Sequence, residues 1–279
     1  MTVFGTPIDT RPLFPRDRAA LLDLLDGLSA KDWARPTVCP GWDVHDVLAH
    51  IVDDHVRRLS AGRDGHRGVP FADGETVPGY VARINDEFVR AMRRVSPRVL
   101  VDLLAVSGPR LDAYWATVRL DGPAGLDVSW AAQDLRSPAW LDVAREYTEL
   151  WVHQQQIRDA VGRPGGDGPA LLGPVVDTFL RALPKALDGC ARPVGTCVRF
   201  DVTGPAGGSW AAVRGPERWA PAAADDAAGG CAARVTTDQD TLWRLASRGI
   251  TPEQARDRST LSGDDALAHA ATALLAVVA

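Results

Sequence analysis

Histidine supplies the chemistry that is easiest to see in this chain. The six are His45, His50, His55, His66, His153 and His269. Glu149 and His153 stand four residues apart, which on a helix sets a carboxylate and an imidazole one turn apart on the same face. A third ligand from another helix would complete a His₂Glu set, an arrangement that leaves a catalytic zinc ion one open position. The same spacing also suits an exposed Glu–His pair on a solvated face. Candidates for the third ligand lie on an earlier helix whose apolar face comprises Val44, Val47, Leu48, Ile51, Val52 and Leu59. His55 falls near the centre of that face and His50 at its edge, so periodicity alone favours His55 as the inward histidine. Asp54, one turn from His50, suits either the free ring N–H of that histidine or a nearby arginine.

Cys39 lies between Val38 and Pro40, with neither a helix start nor a base beside it in sequence. It reads as a small buried residue in a turn, with Trp42 packing that turn onto the helices. Arg244, Arg248, Arg256 and Arg258 punctuate the C-terminal part, where guanidinium forks suit carboxylates. Other catalytic signatures are absent: no GxSxG, no P-loop, no GxGxxG after a strand and no HExxH.

The elements that must position these residues change character near residue 165. Before it the pattern is helical: 16–28, 43–60, 79–95, 99–118 and a long helix over 139–161. A compact connector, WARPTVCPGW, links the first two, and Asp43 with Asp46 marks the start of the second. Residues 63–77 read as a loop and 122–138 as irregular. After a lead-in helix over 171–187, short β-like runs appear at 196–203, 209–214 and 232–237. Helices then start at Asp238 and Pro252, and a last one runs from Gly263-Asp264 to the C-terminus. The expected architecture is α + α/β: a helical domain over 1–165 and a smaller α/β domain over 166–279.

The 279 residues are 46% hydrophobic and 24% charged, enough apolar material for a real core. A net charge of −5 argues against nucleic acid as a partner. No apolar run reaches membrane-spanning length and the N-terminus lacks the pattern of a signal peptide, so a cytoplasmic location is expected. Four cysteines (Cys39, Cys190, Cys197, Cys231) without a CxxC do not form a disulfide framework or a zinc ribbon, and those in or beside the strands need no special role. Abundant Arg, Ala, Gly and Pro point to a high-GC genome.

The stretch WARPTVCPGWDVHDVLAHIVDDHVRRL, together with REYTELWVHQQQIRDAVGRP, resembles the mycothiol-dependent maleylpyruvate isomerase family. The tail VTTDQDTLWRLASRGITPEQARDRSTLSGDDALAHA is similar to the second domain of that family. The resemblance implies a DinB-like four-helix bundle followed by a sterol-carrier-like domain. It implies a divalent metal, most simply zinc, on His50, Glu149 and His153, with His55 left as a supporting or core histidine. It further implies mycothiol as thiol cosubstrate, with a C-terminal arginine, Arg248 or Arg244, near the ligands; Arg248 is the catalytic candidate. The implied reaction is addition of the thiolate to an activated alkene and cis–trans isomerisation. An S-transferase that keeps the thioether, or a non-catalytic metal-containing protein that binds a small ligand, would carry the same features. The thiol is expected in a cleft between the domains.

Overall fold

The computed structural model describes residues 3–125, 131–132, 135–223 and 230–276. The fold is mixed α+β, and the chain divides into two compact units that are not contiguous in sequence. Residues 10–119 and 146–166 form one; residues up to Asp9, 120–145 and those from Asp167 onward form the other. Part of the irregular stretch expected over 122–138 (126–130 and 133–134) lies outside the described residues.

The first unit is helical. A single 3₁₀ turn leads into α1 (Phe14–Asp26); α2 (Ala30–Trp33), α3 (Val44–Arg57), α4 (Val77–Met92), α5 (Pro97–Thr117) and α6 (Ala139–Val161) follow, α6 entering this unit at Glu146. The helix starts are written in the sequence. Asp43 and Asp46 form a reciprocal capping box at α3, and the hydroxyls of Thr76 and Ser96 accept the N–H groups of Gly79 and Val99 at the starts of α4 and α5. Each satisfies a backbone donor that the helix cannot satisfy itself. The end of α3 departs from expectation: it continues as a π-helical turn, Arg58–Arg63.

α3 packs on both α4 and α5, and α1 on α5. Phe14 of α1 meets Trp115 of α5 and, edge-on at 5.6 Å, Tyr147 of α6. From Glu146 to Ile157 every residue of α6 is buried except Glu149, which is half-buried. A helix covered all round belongs at the centre of a bundle, yet this one carries Glu146, Thr148, Glu149, His153 and three glutamines there. Those polar groups need partners inside. Arg58 closes on Glu146 at 2.6 Å, and Gln154 donates to the Asp17 carboxylate at 2.6 Å. Breaking a buried pair such as Arg58–Glu146 from one side costs about 3–5 kcal/mol.

The second unit contains α7 (Pro169–Leu180), α8 (Leu183–Ala186), α9 (Gln239–Ala246), α10 (Pro252–Asp257) and α11 (Asp265–Ala271) around a five-stranded mixed sheet. Its strands are β1 (Cys197–Thr203), β2 (Gly208–Arg214), β3 (Trp219–Ala222), β4 (Ala233–Asp238) and β5 (Thr260–Gly263), in the order β3-β2-β1-β4-β5. β1 and β4 run parallel and the other pairs antiparallel. β3 and β5 are four-residue edge strands that sequence periodicity did not reveal, because four residues hold too little alternation to register. α11 ends at Ala271, short of the expected helix to the C-terminus.

One expectation is corrected here. Cys197 and Cys231 were read as needing no role, but they form a disulfide, with Cα atoms 4.6 Å apart. The cause is strand pairing: Val198 lies beside Ala233 in the parallel ladder, and the Ala232 N–H donates to the Cys197 carbonyl at 2.8 Å. Residues 34 apart in sequence thereby become cross-strand neighbours.

Candidate metal centre

α3 and α6 bring three ligand-type side chains together. His50 comes from α3; Glu149 and His153 come from successive turns of α6. One carboxylate oxygen, Glu149 Oε1, lies 3.1 Å from His153 Nε2 and 3.5 Å from His50 Nε2. One donor atom from each of the three falls within 4.8 Å of the others. The two imidazole rings stand edge to face, 4.6 Å between centres. Both histidines are buried, while the Glu149 side chain keeps 38% exposure and marks the open side of the cluster.

The surrounding groups orient the set. Gln156, three residues beyond His153, places Oε1 2.6 Å from His153 Nδ1. A carbonyl oxygen only accepts, so Nδ1 carries the proton and Nε2 faces Glu149. The same Gln156 oxygen accepts from the Cys39 thiol at 3.1 Å. Cys39 is therefore half-buried beside the cluster and not simply filling a turn, which corrects its sequence reading. A Pro40-Gly41 turn holds it there: Trp42 N–H donates to the Cys39 carbonyl, Gly41 has φ 78°, and proline precedes it. These are the requirements of a type II turn. On the other side of the turn, the Trp42 ring rests 5.1 Å from that of His50.

Burial opposes charge on Glu149, yet the two imidazoles hold its carboxyl well below its ordinary range. Burial likewise opposes charge on His153, but Cys39 and Glu149 hold it well above its own. Together the two shifts describe a His153–Glu149 ion pair with the positive charge on the imidazole. Two imidazoles with one carboxylate are also a donor set that zinc accepts. The residues present fit such an ion.

His55, which periodicity favoured, is also buried, but its Nδ1 meets Ser107 Oγ at 3.0 Å on α5 and it stays outside the cluster. Burial pushes its pKa down to about 4. Asp54 does not receive the free N–H of His50: its Oδ2 lies 3.7 Å from His50 Nε2, while His50 Nδ1 is buried without a partner. Its other oxygen is bound by Arg57. A second acidic group, Asp43, His45 and Asp46, is occupied otherwise: Asp43 and Asp46 cap α3, Arg93 grips Asp46 with two nitrogens, and His45 meets the Val95 carbonyl. Gln156 is the member that sequence reasoning missed; its i+3 spacing from His153 was the available signal.

In the other unit, Arg244 is held by Asp240 at 2.9 Å and stacks on Trp243. Arg248 is exposed, has no side-chain partner among the described residues, and adopts φ 61° just after α9. A left-handed backbone at a residue with a Cβ costs roughly 1–2 kcal/mol. Among the described residues no helix is long and apolar enough to cross a membrane.

Residues 14–158 match the family model described as mycothiol maleylpyruvate isomerase N-terminal domain. No curated protein matches the chain. Two solved structures do: the mycothiol-dependent maleylpyruvate isomerase and a histidine-to-alanine mutant of it. Each gives a TM-score of 0.53 at 16% identity, over 94% of this chain and 96% of the other. At that identity the likeness speaks for the fold.

Proposed function

Since the chain belongs to the mycothiol maleylpyruvate isomerase family, we propose that it is an enzyme that uses mycothiol as thiol cosubstrate at a metal held by His50, Glu149 and His153. The observation that carries this reading is the convergence of His50 Nε2, Glu149 Oε1 and His153 Nε2, with Glu149 on the open side. A divalent cation bound there, zinc by the donor set, would supply the Lewis acidity that keeps a thiol ionised at neutral pH. The thiolate is the nucleophilic form.

The chain's own groups have separate tasks. Gln156 fixes the tautomer of His153, so that Nε2 presents a lone pair. Trp42 backs His50 with apolar surface. Arg248, whose guanidinium has no partner among the described residues, is assigned to an anionic group of the small-molecule substrate. Arg244 is the secondary candidate, since Asp240 already occupies it. In the proposed reaction the thiolate sulfur adds to one carbon of an activated alkene and the double bond becomes single. Rotation about that bond and expulsion of the thiolate restore the alkene in the trans form.

The test is mass spectrometry and NMR of the metal-loaded protein with mycothiol and a panel of electrophiles, maleylpyruvate among them. Isomerised product that requires mycothiol, and that His153→Ala does not form, is the expected result. A stable thioether would make the protein an S-transferase. No turnover across the panel, with metal retained, would leave a binding protein.

A further inference from the structure

One spacing recurs on α3 and α6. Glu149 and His153 stand four apart on α6, and His50 and Asp54 stand four apart on α3. Each pair puts one carboxylate and one imidazole on a single helical face, and metal sites in helical bundles are built from such side chains on facing helices. Asp54 Oδ2 lies 3.7 Å from His50 Nε2, and Glu149 Oε1 lies 3.5 Å from the same nitrogen. Both distances are long for hydrogen bonds. They are close to the roughly 3.4 Å between donor atoms that share one tetrahedral zinc ion. Asp54 Oδ2 is also buried without a hydrogen-bond partner among the described residues. Arg57 is the cause: it grips Asp54 through Oδ1 alone and turns its Nε to Asp53, where a guanidinium commonly takes both oxygens of one carboxylate. A buried carboxylate oxygen without a donor is costly and asks for a partner.

We propose that Asp54 is a fourth ligand of the metal centre, bound in the resting protein and displaced by the incoming thiolate. The proposal rests on the reading of His50, Glu149 and His153 as that centre. Charge supports it. Asp53, Asp54 and Glu149 against Arg57 leave two negative charges around neutral imidazoles, and a divalent cation cancels both. Asp54 stands outside the set whose donor atoms all fall within 4.8 Å of one another. To bind, its short side chain turns inward while Oδ1 stays on Arg57. Four protein ligands close a zinc site, so sulfur enters by replacing one of them. Asp54 is the one that yields, a hard oxygen giving way to a soft thiolate. Its Oδ2 releases the ion as the thiolate binds, the thiol proton leaves to solvent, and Arg57 retains the freed carboxylate.

Two measurements on the full chain test this: zinc affinity by chelator competition, and calorimetric titration of mycothiol into the zinc-loaded protein. Asp54→Asn keeps an acceptor for Arg57 but loses the anionic donor. It should weaken zinc about tenfold or more and tighten mycothiol by about the same factor, because the thiolate no longer competes with a carboxylate. Asp53→Asn removes an equal charge beside the same Arg57 and should leave both affinities near wild type. Wild-type zinc affinity in Asp54→Asn overturns the proposal. Equal weakening in Asp53→Asn overturns it too, since Asp54 would then act only as a nearby charge. Mycothiol binding that is absent, unchanged or weaker in zinc-loaded Asp54→Asn overturns the exchange. His153→Ala separates the two levels. If it loses zinc while Asp54→Asn does not, the failure is confined to Asp54; if it binds zinc as the wild type does, the centre itself is misplaced.

Discussion

Gln156 Oε1 sits 2.6 Å from Nδ1 of His153, and this contact determines which nitrogen of the imidazole faces Glu149. Without it the ring is free to present a proton where a lone pair is needed. Gln156→Leu should weaken metal affinity about 10- to 100-fold, the usual cost of losing a group that orients a metal-bound histidine. Titration against a competing chelator measures it. Equal affinity in the variant would show that His153 holds its own orientation.

The choice between the two histidines of α3 has a direct readout. His50→Ala, Glu149→Gln and His153→Ala should each lose bound metal, whereas His55→Gln should retain it. Elemental analysis of the purified variants gives the stoichiometry. Metal loss in His55→Gln with retention in His50→Ala would move the centre one turn along α3.

Cys39→Ser is expected to keep substantial activity. The serine hydroxyl can donate to Gln156 Oε1 as the thiol does at 3.1 Å, and in the proposed mechanism the reacting sulfur belongs to the cosubstrate. Complete inactivation with fold and metal content intact would instead make Cys39 the nucleophile.

His55 should make the helical unit sensitive to acid. Burial depresses its pKa from 6.5 to about 4. The folded state therefore binds fewer protons than the unfolded state between those values. The stability that neutral His55 contributes is complete above pH 6.5 and is lost as pH falls toward 4, by up to about 3 kcal/mol. His55→Gln, which keeps a polar contact for Ser107 without titrating, should flatten the decline in melting temperature between pH 7 and pH 4.5. An unchanged slope would assign the acid sensitivity to other groups.

Much of the fold is visible in local sequence, because local interactions determine it. Helix α6 has the bounds that periodicity indicates, and α3 starts where Asp43 and Asp46 cap it. The central strands β1, β2 and β4 follow from β-branched and apolar runs, and the spacing of Glu149 and His153 is a property of one helix. Other features required the tertiary structure. Periodicity put His55 near the centre of the apolar face of α3 and His50 at its edge, so it favoured the wrong histidine for the contact with α6, which depends on how two helices are rotated against each other. The Cys197–Cys231 bond exists because β1 and β4 are parallel neighbours, a pairing made by residues far apart in the chain. Nothing in the run CPGW says that the turn carries Cys39 to Gln156 on one side and Trp42 to His50 on the other. Residue types and helical spacing decide which groups are able to bind a metal; packing of the helices decides which of them share one point.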